Sequence, residues 1–244
     1  MSRIIVVAPK SVTRHRKEAP FRFDYAYWNF YLPLLSMGYE VKFFDTSLYG
    51  DKQLSELIKD FRPHLLFCVM TGSPLYCPSE PWETIKKTTE EGNIVTFNWF
   101  CDDSWRFNEF SKKVCNYFHF CSTPEKQYVE KYKEIGYDNI LYSTWCANSE
   151  LYSNLDCRKR NIACFSGGKH GDRIAYLHML EEAKFPLHTP QDSSFESMIA
   201  GYSSSLIGLN FSKNSTGEGT QMKARVFEVP ATGALLVTEY TEDL

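Results

Sequence analysis

Residues 40–70 read EVKFFDTSLYGDKQLSELIKDFRPHLLFCVM. EVKFFD (40–45) is rich in β-branched and aromatic side chains, which fit a pleated strand. KQLSELIKDF (52–61) carries a helical pattern, and Pro63 stands where a helix has already ended. HLLFCVM (64–70) is apolar almost without alternation, the pattern of a strand buried on both faces of a parallel sheet. Strand, helix and strand in that order predict a crossover unit with parallel strands.

The rhythm extends in both directions. Upstream, RIIVVA (3–8) is a strand candidate, followed by the basic loop PKSVTRHRKEAPFR and a helix over 24–37 that stops at Gly38. In that helix Tyr27, Phe30, Tyr31, Leu34 and Leu35 keep near-helical spacing. Downstream, helix 80–91 leads through Gly92 to strand 93–100 (NIVTFNWF), then a short helix near 105–113 and strand 117–121. A helix over 124–135 begins at Pro124 with Glu125 in its first turn, ends at Gly136, and precedes strand 139–144 (NILYST). Six strands in βα order predict an α/β domain, doubly wound and Rossmann-like, over residues 1–147.

NSELYSNLDCRKR (148–160) has no sustained apolar period and reads as a linker. The βα rhythm then restarts over 161–244. Strands are expected at 161–166, 185–188, 205–211 and 234–239, and helices at 172–183, 193–203 and 221–231. Pro230 inside the last helix requires that helix to be short. Two Rossmann-like domains predict a cleft at the C-terminal ends of their strands, so the loops after strands are where chemistry belongs.

Composition narrows the function classes. The 244 residues are 43% hydrophobic, 16% aromatic and 23% charged, the proportions of a globular chain with a large core. They exclude a disordered chain, a collagen-like repeat and a coiled coil. The net charge of −3 argues against nucleic acid or anionic membrane as a general partner. The longest apolar runs fall far short of the roughly 20 residues of a membrane span, and the N-terminus reaches charge too early for a signal peptide. Eight cysteines include no C-x-x-C pair and no zinc-ligand spacing, so reduced thiols, a cytoplasmic location and no metal are expected.

Three segments hold candidate site residues. In GGKHGDR (167–173), Gly167 and Gly168 let backbone amides approach an anion, and the next helix aims its positive N-terminus at the same place. Lys169, His170 and Arg173 could add charge-assisted contacts to a diphosphate; the alternative is a plain strand-to-helix turn with solvated charges. In KARVFEVPATGALLVTE (223–239), Lys223 and Glu228 fall near the mouth, where a carboxylate accepts from ribose hydroxyls. A solvated Glu on an amphipathic helix is the plainer alternative. In FNWFCDDSW (97–105), Asp102 or Asp103 could be a general base, or a cap for the helix near Trp105. Trp105 could stack on a sugar or belong to the core. Lys10 and Arg14 lie in the basic loop after the first strand, either an acceptor-side patch for an acidic acceptor or a solvated loop.

Residues 161–244 resemble the C-terminal half of GT-B glycosyltransferases, and are most similar to the CgeB-like (spore-maturation protein) branch of the family-1-type enzymes. FSGGKHGDR, SSSLIGLNFS and above all KARVFEVPATGALLVTEY carry the resemblance, and FNWFCDDSW adds to it in the first half. It implies two Rossmann-like domains facing each other across a cleft and a metal-independent sugar transfer from a nucleotide sugar, a UDP-sugar by preference, to a hydroxyl of a glycan or other acceptor. By the same resemblance Glu228 binds ribose, Arg173 with the amides of Gly167 and Gly168 holds the diphosphate, and Lys223 and Arg225 neutralise the leaving group. GT-B proteins run on past the last strand, whereas here the sequence stops at TEYTEDL. A short second domain is therefore expected, with apolar sheet edges that favour a homo-oligomer. The rival class is a non-catalytic nucleotide- or sugar-binding module of the same descent.

Overall fold

The computed structural model describes residues 1–11, 23–75, 77–152, 158–169, 171–190, 194–214, 216–217 and 219–244. The chain forms two compact units, Met1–Ser143 and Thr144–Leu244.

The first unit runs β1 (Arg3–Ala8), a π-helical turn (Tyr27–Tyr31) continuing into α1 (Leu32–Ser36), β2 (Glu40–Asp45), α2 (Asp51–Phe61), β3 (Leu65–Cys68), α3 (Trp82–Glu91) and β4 (Val95–Trp99). It continues with α4 (Asp103–Arg106), a second π-helical turn (Phe107–Ser111), α5 (Lys112–Val114), β5 (Phe120–Thr123), α6 (Lys126–Glu134) and β6 (Ile140–Tyr142). Gly92 and Gly136 end α3 and α6 with φ of +70° and +79°, angles that glycine adopts without steric cost. The strand expected at 117–121 starts later, because Cys115–Tyr117 closes a 3-10 turn first.

All six strands are parallel, in the order β2-β1-β3-β4-β5-β6. That is the flavodoxin-like winding, not the 3-2-1-4-5-6 order of dinucleotide-binding halves, and its switch point lies between β1 and β3. Ile5, Val7, Leu66 and Cys68 are buried on one face with Leu54, Phe61 and Ile85. Each such side chain contributes about 2 kcal/mol of burial. Aromatic rings of the 27–36 helix cover part of the other face: Phe30 meets Phe67 at 5.0 Å and Tyr31 meets Phe43 at 5.3 Å between centroids.

The second unit holds β7 (Asn161–Cys164), α7 (Asp172–Glu182), β8 (Leu187–His188), α8 (Phe195–Ser203), β9 (Ser205–Asn210), α9 (Arg225–Ala231) and β10 (Leu235–Thr238). Its parallel order, β10-β9-β7-β8, repeats the 2-1-3-4 winding and places a switch point between β7 and β9. A Cβ at Gly208 would collide with Val229, so a bare β9 backbone lets α9 pack closely. The last helix begins at Arg225 rather than 221, since the Gln221 N–H is bonded to the Ser212 carbonyl at 2.9 Å. Pro230 sits in its final turn.

On the opposite face, α7 covers only part of the sheet. Tyr176, Met179, Leu180, Leu209 and Val237 border an apolar groove of about 590 Å³. Leu235 and Val237 on the edge strand β10 are exposed. Among the described residues no helix is long and apolar enough to cross a membrane.

Candidate functional site

The loops at the β7/β9 switch point converge on the segment after β7. Arg225, the first residue of α9, donates from Nε to the Ser166 carbonyl at 2.6 Å and lies 5.7 Å over the Phe165 ring. The same guanidinium fills the space in front of Gly167, where a Cβ would collide with it. Tyr202 clasps Ser166 from α8, accepting from its N–H at 3.1 Å and donating to its carbonyl at 3.3 Å. The glycine turn is thus held from two helices.

Arg173, near the N-terminus of α7, is buried. It donates to the Gly168 carbonyl at 3.2 Å and to the Phe211 and Lys213 carbonyls at 3.5 and 3.4 Å. It therefore joins the loops after β7 and β9. Burial, with Arg225 nearby, pulls its guanidinium below the usual range. Beside it is a cavity of about 80 Å³, bordered also by Asp172, Phe211, Lys213, Asn214 and Glu239. That is room for two or three waters or one phosphate-sized group, not a whole nucleotide. Asp172 and Lys213 form an ion pair on its rim. Lys169 is exposed and Lys223 half-buried just before α9. His170 lies outside the described residues.

Glu228 is buried on α9, and its Oε1 accepts from the Tyr152 hydroxyl at 2.7 Å. Burial raises its carboxyl above the ordinary value, while Arg225 and the Tyr152 hydroxyl oppose that rise. Tyr152 stands in the stretch read as a linker, yet it is fully buried and packs edge-on against Phe195 at 4.7 Å.

Residues 172–244 match a glycosyl transferase-like family model. The match starts at the first residue of α7, so it contains Arg173, Arg225 and Glu228 and leaves out β7, Gly167, Gly168 and Tyr152. No curated protein matches the chain. The glycosyl transferase-like segment accordingly supports sugar transfer in general, with a donor and an acceptor as its two substrates.

In the first unit the two expected carboxylates separate. Asp102 occupies the N-cap position of α4, but its side chain does not cap the helix; Oδ2 accepts from the Cys101 thiol at 3.4 Å. Asp103 is fully buried, with Oδ2 accepting from Tyr132 at 3.0 Å, and burial raises its carboxyl. No acceptor hydroxyl can reach it without opening the core. The cap bond comes from Glu125, whose Oε1 accepts from the Ser104 N–H at 3.0 Å. Glu125 precedes α6 instead of lying in its first turn, and burial pushes its carboxyl up to about 7. Trp105 is partly exposed, with the Arg106 guanidinium 5.5 Å over its ring.

At the β1/β3 switch point, Lys10 donates its N–H to Asp45 at 3.0 Å and holds its ammonium 5.5 Å over the Tyr27 ring. Arg14 lies outside the described residues. Asp24 accepts from the Ala26 N–H at 3.1 Å, and burial pushes its carboxyl up to about 6. After β3, Glu80 accepts from the Thr71 N–H at 2.6 Å, the Thr71 hydroxyl at 2.9 Å and the Gly72 N–H at 2.8 Å. Glu80, Glu125 and Tyr152 carried no motif. Each is recognised only by the distant backbone or side chain it meets.

Proposed function

We propose that the protein is a glycosyltransferase of GT-B type that moves a sugar from a UDP-sugar to an acceptor hydroxyl without a metal ion. The observation that carries this reading is the glycine turn Gly167–Gly168, packed beneath the Arg225 guanidinium that bonds the Ser166 carbonyl, with the buried Glu228 carboxylate on the same helix as Arg225. Glu228 accepts from the ribose hydroxyls. The amides of Gly167 and Gly168 face the diphosphate, and Lys169, His170, Arg173, Lys223 and Arg225 supply positive charge around it. Arg173 acts partly through the loops that it joins.

In the reaction, the acceptor oxygen bonds to the anomeric carbon as that carbon's bond to the phosphate oxygen breaks. The electron pair leaves with UDP, whose new charge the cations and amides stabilise. Asp102 takes the acceptor proton. Asp103, buried beside Tyr132, supports the helix that carries Trp105. Lys10, Arg14 and Trp105 serve the acceptor side.

A thermal-shift panel of UDP, GDP, ADP, CDP and TDP, with and without magnesium, tests the donor site. UDP at about 100 times its dissociation constant should add roughly 2.7 kcal/mol of stability, equally with and without magnesium. No shift with any nucleotide overturns the reading. UDP binding without hydrolysis or transfer from UDP-sugars makes the chain a binding module.

A further inference from the structure

Tyr152 comes from a polar run before β7, outside the segment that matches the family model. Nothing in that run, NSELYSNLDCRKR, requires an aromatic residue to be buried, yet Tyr152 is fully enclosed. Its ring leans on Phe195 of α8, and its hydroxyl reaches across 76 positions of sequence to Glu228 of α9 at 2.7 Å. A phenol this buried needs a partner, and a carboxylate is a strong one. Among the described residues, the second Glu228 oxygen makes no hydrogen bond.

We infer that Tyr152 is a positioning residue for Glu228: its hydroxyl holds one carboxylate oxygen, so that the side chain stays in a single orientation toward the ribose of the donor. The inference rests on the donor-site reading above. A carboxylate free to turn loses rotamer freedom when it binds two hydroxyls, and a carboxylate already fixed does not. The burial of Tyr152 and its ring contact on α8 keep the hydroxyl in place before any nucleotide arrives.

Calorimetric titration of UDP and 2′-deoxy-UDP into the wild-type chain, Tyr152→Phe and Glu228→Gln separates the possibilities. The wild-type chain should prefer UDP by about tenfold or more, the discrimination that one hydrogen bond to a charged group supplies. In Tyr152→Phe the preference should shrink toward unity, with UDP weakened far more than 2′-deoxy-UDP. A merely structural loosening would weaken both nucleotides equally and would overturn the assignment, as would an unchanged preference. If Glu228→Gln keeps the full preference, the ribose role of Glu228 fails, and this inference with it. If the Phe variant does not fold, Phe195→Leu, which loosens the ring contact that holds the Tyr152 hydroxyl, takes its place, and an unchanged preference there overturns the assignment.

Discussion

The Arg225 guanidinium lies directly against Gly167, with its Nε bonded to the Ser166 carbonyl at 2.6 Å. An arginine fifty-eight positions along the chain therefore sets the shape of the glycine turn, and only a residue without a side chain fits beneath it.

Gly167→Ala should force either the turn or the arginine to move. The expected cost is about 1–3 kcal/mol of stability in the second unit. UDP affinity should fall at least tenfold, because the loop amides shift with the turn. Melting curves and titration of the same preparation check both. An alanine variant with wild-type melting and binding would show that the turn tolerates a side chain there.

Glu125 predicts a pH dependence. Its folded carboxyl titrates at about 7, against an ordinary value of 4.5. The folded chain therefore binds more protons than the unfolded chain between those values, so stability falls as pH rises through that window and levels off above it. Asp24, raised from 3.8 to about 6, acts in the same direction at lower pH. Glu125→Gln keeps an oxygen for the Ser104 N–H and removes the titration. Denaturant melts at pH 5 and pH 8 should differ by roughly 2–3 kcal/mol less in the variant than in the wild-type chain. An identical difference in both chains would place the effect elsewhere.

The fold was legible where side-chain chemistry is local. Strands such as RIIVVA and LLFCVM, and the stops at Gly92 and Gly136, follow from patterns a few residues long. Strand order was not legible: βα alternation is the same whether β3 joins the sheet beside β1 or beside β2. Neither π-helical turn was visible, because one extra residue in a turn barely disturbs apolar spacing. Within the site, Gly167, Arg225 and Glu228 stood in readable segments. Tyr152 did not, and Glu125 was legible as part of a helix start but not as the partner of Ser104, since their partners lie 76 and 21 positions away. Asp102 and Asp103 were indistinguishable as neighbours in sequence. Burial alone parts them.

Glu80→Ala should leave three donors, two of Thr71 and one of Gly72, facing an empty space. The expected loss is about 2–4 kcal/mol in the first unit. Formate or acetate should restore part of the lost melting temperature in the variant and none in the wild-type chain. No rescue at any anion concentration would mean that the loop rearranges to satisfy its own amides.

That contact has a counterpart in the second, similarly wound sheet. In the first unit the loop after β3 gives its Thr71 and Gly72 amides to Glu80, and the Arg106 guanidinium holds the Thr71 carbonyl. In the second unit the corresponding loop, after β9, gives the Ser212 amide to Glu239, and the Arg173 guanidinium holds the Phe211 and Lys213 carbonyls. Each winding thus furnishes the loop after its third strand with its own anion and its own cation. The backbone there is neutralised from within the chain.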